Sequence, residues 1–289
     1  MVMADTIARP HVTWDLVADV RELLHFQFMQ NAFVAGTIVA VTAGVVGYFM
    51  VLRGESFAGH TLSQVGFPGA AGAALVGVTP VFGVLTFCVV AAIAIALVPG
   101  RRSTGPAFES ALIGSILAFA LALGFLFTTL YSGFVTGAYS FLFGTFVGIS
   151  NTEVVTLFVT ATVVLVTLLV MGRRLFFASI DADVAAARGV PVRALAVVFL
   201  AVLGLAVAAA TQITGTLLVF ALLVAPAASA HQLSNRPGRA LLISVGIAVL
   251  VTWLGLAIAY FSEYPIGFYV TTLAFGAYLL SRAGRALAR

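Results

Sequence analysis

The chain has 289 residues, 62% of them hydrophobic and 8% charged, with a formal net charge of +4 and a mean hydropathy of +1.16. Soluble domains carry about 25% charged residues, so this composition excludes a water-facing surface over most of the chain. Apolar runs long enough for a hydrocarbon core of about 30 Å recur from near residue 28 onward and do not alternate in the manner of barrel strands, which leaves an all-α, polytopic transmembrane bundle of eight or nine spans.

Residues 1–27 hold Asp5, Asp15, Asp19 and Glu22 against Arg9 and Arg21 with no apolar core between them, unlike a secretory signal. Trp14, Leu16, Val17, Val20 and Leu24 give Val12 to Phe28 an apolar side that suits an external segment lying along the membrane surface. Spans are then predicted at 28–52, 58–78, 81–98, 107–130, 152–172, 194–210, 213–230, 240–261 and 265–281. The second is interrupted by Gly66, Pro68, Gly69 and Gly72. Such residues suit a close small-residue interface or a water-lined path, where the freed backbone groups find partners. The single cysteine, Cys88, lies inside an apolar run and reads as a small core residue.

Arginine placement orients the bundle. Arg53 follows the first span, Arg101 and Arg102 the third, and Arg173, Arg174, Arg188 and Arg193 the fifth. Arg236 and Arg239 follow the seventh, and Arg282, Arg285 and Arg289 the ninth. Loops with Glu153 or Glu263 and no arginine lie between. Nine spans with an external N-terminus put the arginine-bearing segments of the bundle in the cytoplasm, as the positive-inside rule requires, with residues 283–289 as a cytoplasmic tail. The positive charge sets topology and leaves no basic patch for nucleic acid.

The longest cytoplasmic segment contains Asp181, Asp183, a run of alanines, Arg188, Gly189 and Pro191. An acidic start, alanines within and Gly then Pro at the end predict one short capped helix over about 179–190, either a linker or a docking surface for a partner. The chain contains no lysine, so it has no P-loop; HExxH, CxxC and GxSxG motifs are also missing. Glu109 lies at a span end and no charge sits near a span centre, which disfavours a proton-driven carrier and points to energy supplied by another subunit. His60, Thr61, Ser63 and Gln64 are the densest polar group in the membrane phase. His60 and Gln64, four apart, share a helix face. They suit either a transition-metal ligand pair or the satisfaction of backbone groups freed near Pro68. His231 is expected at the interface, and His11 and His25 carry no constellation.

The stretch VVGYFMVLRGESFAGHTLSQVGFPGAAGAAL, followed in order by FFASIDADVAAARGVPVRAL, ITGTLLVFALLVAPAASA and RPGRALL, resembles the membrane permeases of zinc/manganese-type ABC importers over about residues 28–282. The resemblance implies a permease domain across that range in the cytoplasmic membrane. It implies a homodimer or pseudo-dimer joined to cytoplasmic ABC ATPase subunits and supplied by an extracytoplasmic metal-binding protein. The transported species would be zinc or manganese, with no cofactor held by this chain. The helix at 179–190 would be the ATPase-coupling helix, with Asp183, Ala185 and Gly189 at positions of the family's acidic-Ala…Gly motif and Asp181 and Arg188 beside them. Where family members typically carry an Asp and a His four residues apart, this chain has His60 and Gln64, so the expected pathway pair loses its carboxylate. A permease for a metal chelate or other small solute, or an ATPase-independent channel or carrier, are the competing expectations.

Overall fold

The computed structural model describes residues 26–97, 106–131, 149–262 and 264–287, and the regular structure among them is helical throughout. Ten helices follow in chain order: α1 Gln27–Arg53, α2 Ser56–Val76, α3 Pro80–Leu97, α4 Pro106–Leu130, α5 Asn151–Ile180, α6 Ala182–Ala187, α7 Val192–Thr214, α8 Thr216–Leu233, α9 Pro237–Tyr260 and α10 Ile266–Leu287. All but the short α6 stand where the nine spans are expected. Six of them, α1, α3, α4, α5, α7 and α9, are long and apolar enough to cross a bilayer unaided. In a bilayer every backbone polar group must be satisfied within the segment, which is why the apolar runs become helices. The expected surface segment before residue 26, together with Arg101, Arg102 and most of the loop after α4, lies outside the described residues.

Two boundaries differ from expectation. α5 does not end at residue 172 but runs on to Ile180. Its 30 residues make about 45 Å of helix, more than a hydrocarbon core of about 30 Å, so Arg173 and Arg174 ride on a helical extension beyond the core. α10 likewise continues past the expected span end at residue 281, to Leu287. Elsewhere the ends have local causes. Gly54 (φ 71°) and Gly77 (φ 76°) close α1 and α2 in the left-handed conformation, returning their N–H groups to the last turn. At the start of α5, Ser150 and Glu153 form a reciprocal capping box.

α1 and α7 form the centre of the bundle. α1 packs against α9, α8, α5 and α7, while α7 also meets α3 and α2. α4 packs chiefly on α2, and α10 closes the far side against α8 and α9. Small residues let the central backbones meet, as expected where lipid removes any hydrophobic force between helices. A Cβ on Gly44 would stand 2.7 Å from the Val245 Cα, and beside it the buried Ser244 hydroxyl donates to the Gly44 carbonyl at 2.8 Å. A Cβ on Gly47 would fall on the carbonyl oxygen of Leu223. Outward-facing positions stay apolar and exposed, among them Phe119, Phe125, Leu169, Val170 and Leu242.

The two ends of the bundle differ chemically. Phe26, Phe28, Tyr260 and Phe261 form one chain of ring contacts, and Tyr264, Phe268 and Tyr269 another. These residues occupy the start of α1, the end of α9 and the start of α10. Arg53, Arg236, Arg239 and Arg282 occupy the opposite ends of the same three helices. Aromatic rings at one interface and arginines at the other are what a membrane boundary selects.

Candidate substrate pathway and cytoplasmic helix

α2 carries the polar group expected in the membrane phase. Its buried faces turn to α3, α7 and α4, while Phe57, His60 and Gln64 occupy a sector left partly open. Phe57 and Gly114 of α4 flank the sector on one side, and Phe220 of α8 flanks it on the other. The His60 ring meets the Phe220 ring at a tilt with centroids 4.8 Å apart and lies near the Phe57 ring at 6.5 Å. Among the described residues His60 Nδ1 is buried without a hydrogen-bond partner. The ring is therefore not spent on a backbone group through that nitrogen. Gln64 is half-buried one turn along.

Pro68 sits within α2, and its missing N–H leaves the carbonyl of residue 64 without its helical donor. The neighbouring helix is shaped to this proline: a Cβ on Gly124 would stand 2.8 Å from the Phe67 ring and 3.1 Å from the Pro68 ring. Gln64 thus offers an amide side chain one turn from an imidazole, on a residue whose carbonyl lacks the usual i+4 donor. Among the described residues no group of three or more His, Cys, Asp or Glu side chains comes together to hold a metal ion.

A second polar feature lies deeper. α7 and α8 are separated by Gly215 alone, at φ 75° and ψ 160°. This break stands against Gly66 of α2, whose added Cβ would be 3.5 Å from Thr211 Oγ1 and 3.7 Å from Thr216 Cγ2. Thr211 donates to the Ala208 carbonyl at 3.0 Å, whereas the buried hydroxyls of Thr61 and Thr216 have no partner among the described residues. Irregular backbone at membrane depth is tolerated where protein or a cavity surrounds it. Sequence reading singled out His60 and Gln64 by their spacing, whereas Phe220, packed on His60, and Thr216, packed near Gly66, gave no such signal. Only the Gly between two apolar runs marked that place. His231 stacks on Tyr48 at 4.8 Å and approaches its carbonyl at 3.4 Å, which fixes it in the contact between α1 and α8.

The short helix expected over about 179–190 is present but shorter, Ala182–Ala187. Six residues do not hold a helix alone, so both ends are tied. Asp181 Oδ1 accepts from the N–H groups of Asp183 and Val184, each at 3.0 Å. At the other end Gly189 adopts φ 78°, donating to the Ala186 carbonyl while Val190 donates to that of Ala185. Ala185 is fully buried where α6 rests on α5 and α7. Asp181, Asp183, Val184, Arg188 and Gly189 are exposed. α6 is therefore a fixed projection held by one buried alanine, and it stands on different elements from His60 and Gln64.

Comparison with known proteins matches residues 25–285 to the model of the ABC 3 transport family. The chain is 30% identical to the manganese import system permease protein ScaB of Streptococcus parasanguinis over 85% of this chain and 86% of that protein. It is also 30% identical to the manganese transport system membrane protein MntC of Halalkalibacterium halodurans, over 74% and 73% of the two chains. Among solved structures, PsaBC from Streptococcus pneumoniae in complex with Fab aligns with a TM-score of 0.81 at 27% identity, covering 92% of this chain and 94% of that one.

Proposed function

Because the chain belongs to the ABC 3 transport family, we infer that it is the membrane permease of an ATP-driven importer carrying a divalent transition-metal ion, manganese or zinc, into the cell. The named relatives are a manganese transport system membrane protein and a manganese import system permease, and similarity over most of both chains supports the same class of cargo here. The observation that carries the pathway assignment is His60, half-buried in the open sector of α2 with its Nδ1 unpaired and Gln64 one turn away.

In this reading two copies of the permease face each other, and each contributes an imidazole and an amide to a shared site. Imidazole suits zinc, whereas manganese prefers oxygen donors; the Gln64 side-chain oxygen supplies the harder contact. With no carboxylate in the set, the ion is held weakly, as a pathway that must release its cargo requires. Energy comes from separate cytoplasmic ATPase subunits, which grip the exposed face of α6 through Asp183, Arg188 and the Gly189 turn. Cargo arrives from an extracytoplasmic metal-binding protein at the aromatic end of the bundle.

The test is uptake of labelled manganese and zinc by cells carrying the parent or His60→Ala at matched membrane abundance. Loss of uptake is expected. Uptake equal to the parent's would remove His60 from the pathway.

A further inference from the structure

The cytoplasmic end of α10 carries a cleft that the transport reading leaves unused. It has an open volume of about 350 Å³ and is lined by Gln232 at the end of α8 and by Arg282, Arg285 and Ala286 of α10. Both arginines are exposed, and among the described residues neither has a carboxylate partner. Two unneutralised guanidiniums and a side-chain amide converging on one recess recognise an anion with several acceptor oxygens.

What the anion is attached to follows from the rest of α10. Phe268, Phe275, Leu279, Arg282 and Ala286 recur at spacings of seven, four, three and four, which places them on one helix face. Phe268 is 58% exposed, Phe275 58% and Leu279 47%. An uncovered stripe, apolar at Phe268, Phe275 and Leu279 and broken by the exposed Thr271 and Thr272, therefore runs along the membrane-spanning part of α10 and ends at Arg282. Leu233, beside Gln232, is exposed as well. The cleft lies immediately beyond the span, at the end of the helix that arginine placement puts in the cytoplasm. A free phosphate would have no use for the stripe, and an acidic protein partner would not reach along the hydrocarbon.

We propose that this face of α10 binds one anionic phospholipid of the cytoplasmic leaflet, its phosphate held by Arg282, Arg285 and Gln232 and an acyl chain lying along Leu279 and Phe275. Basic recesses between membrane helices at that level attract acidic headgroups. The lipid would tie the end of α10 to the end of α8, two helices already in contact. The proposal does not depend on which cargo the permease carries.

The test uses the full chain in nanodiscs of phosphatidylcholine with a minor share of phosphatidylglycerol, counting the lipids retained on delipidation by native mass spectrometry. Phosphatidylglycerol should be retained in preference to phosphatidylcholine. Arg282→Gln with Arg285→Gln should weaken that preference about thirtyfold, roughly fivefold for each arginine. The double lysine variant should keep most of it, Phe275→Asn should lose several-fold, and Arg239→Gln, outside the cleft, should change nothing. Unchanged phosphatidylglycerol retention in the double glutamine variant would overturn the proposal. So would equal retention of phosphatidylcholine by the parent, or displacement of the lipid by millimolar inorganic phosphate. A double variant that loses its ATPase partner but keeps the lipid would reassign the arginines to that partner and overturn it too.

Discussion

His60 on α2 and Phe220 on α8 meet with ring centroids 4.8 Å apart and ring planes inclined at 64°. One ring wall of the open α2 sector is thus supplied by a helix that begins more than 150 residues later. An aromatic pair of this kind contributes about 0.5–1.5 kcal/mol beyond area burial, which biases the imidazole toward one orientation. Phe220→Ala should lower metal uptake several-fold while leaving membrane abundance near the parent's, and Phe220→Tyr should restore most of it. Initial uptake rates at saturating and limiting metal would separate weaker binding from slower passage.

Exchanging the donor set should change selectivity. His60→Asp with Gln64→His restores a carboxylate and an imidazole four residues apart on the same face, which favours the harder ion. In uptake competition between manganese and zinc, the double variant should shift toward manganese. An unchanged ratio would place selection elsewhere in the importer.

The Gly189 turn gives a test confined to α6. No heavy atom stands within 4 Å of a Cβ built there, so the obstacle is φ 78° alone. A β-branched residue in that region costs about 1–3 kcal/mol of local strain. Gly189→Val should leave the bundle in the membrane but reduce transport and metal-stimulated ATP hydrolysis about tenfold in reconstituted importer. Gly189→Asn, which tolerates the left-handed region, should lose much less.

Orientation is directly measurable because Cys88 is buried and will not react with a membrane-impermeant maleimide. Tyr264→Cys, at a position 68% exposed in the parent, should label from outside intact cells. Ser234→Cys should label only after the cells are opened. Labelling of the Ser234 variant from outside would invert the topology.

Two glycines of similar appearance should behave differently. A Cβ on Gly47 falls on the Leu223 carbonyl, whereas on Gly66 its nearest neighbours are 3.5 Å away. Overpacking of the first kind costs about 1–3 kcal/mol. Gly47→Ala should lower the unfolding midpoint of the purified protein by several degrees, and Gly66→Ala should leave it close to the parent's.

Much of the fold was legible because bilayer thickness acts on composition directly: a long apolar run has one solution, and nine runs gave nine long helices. α5 was read short because the apolar run stops at Met171, yet a helix leaving the membrane needs no apolar face, and Arg173 and Arg174 extend it without penalty. Asp181 and Gly189 were legible as caps because capping is local chemistry, although the helix between them proved narrower. His60 and Gln64 could be paired from their spacing. Phe220, Thr216 and the approach of Gly47 to Leu223 could not, because such contacts join segments far apart in sequence and leave no periodic trace.

The contact of Gly47 with Leu223 and that of Gly44 with Val245 bear on how the importer can move. Backbones in direct touch have no slack: α1 cannot slide along α8 or α9 by a fraction of a turn without collision, and packed contacts of this sort shift in discrete steps or not at all. α1, α8 and α9 therefore shift together as one block. The proline-bearing half of α2 is locked to α3 in the same way, since a Cβ on Gly69 would stand 2.5 Å from the Gly83 carbonyl oxygen and one on Gly83 would fall on that of Gly69, so α2 and α3 form a second pair that must shift together.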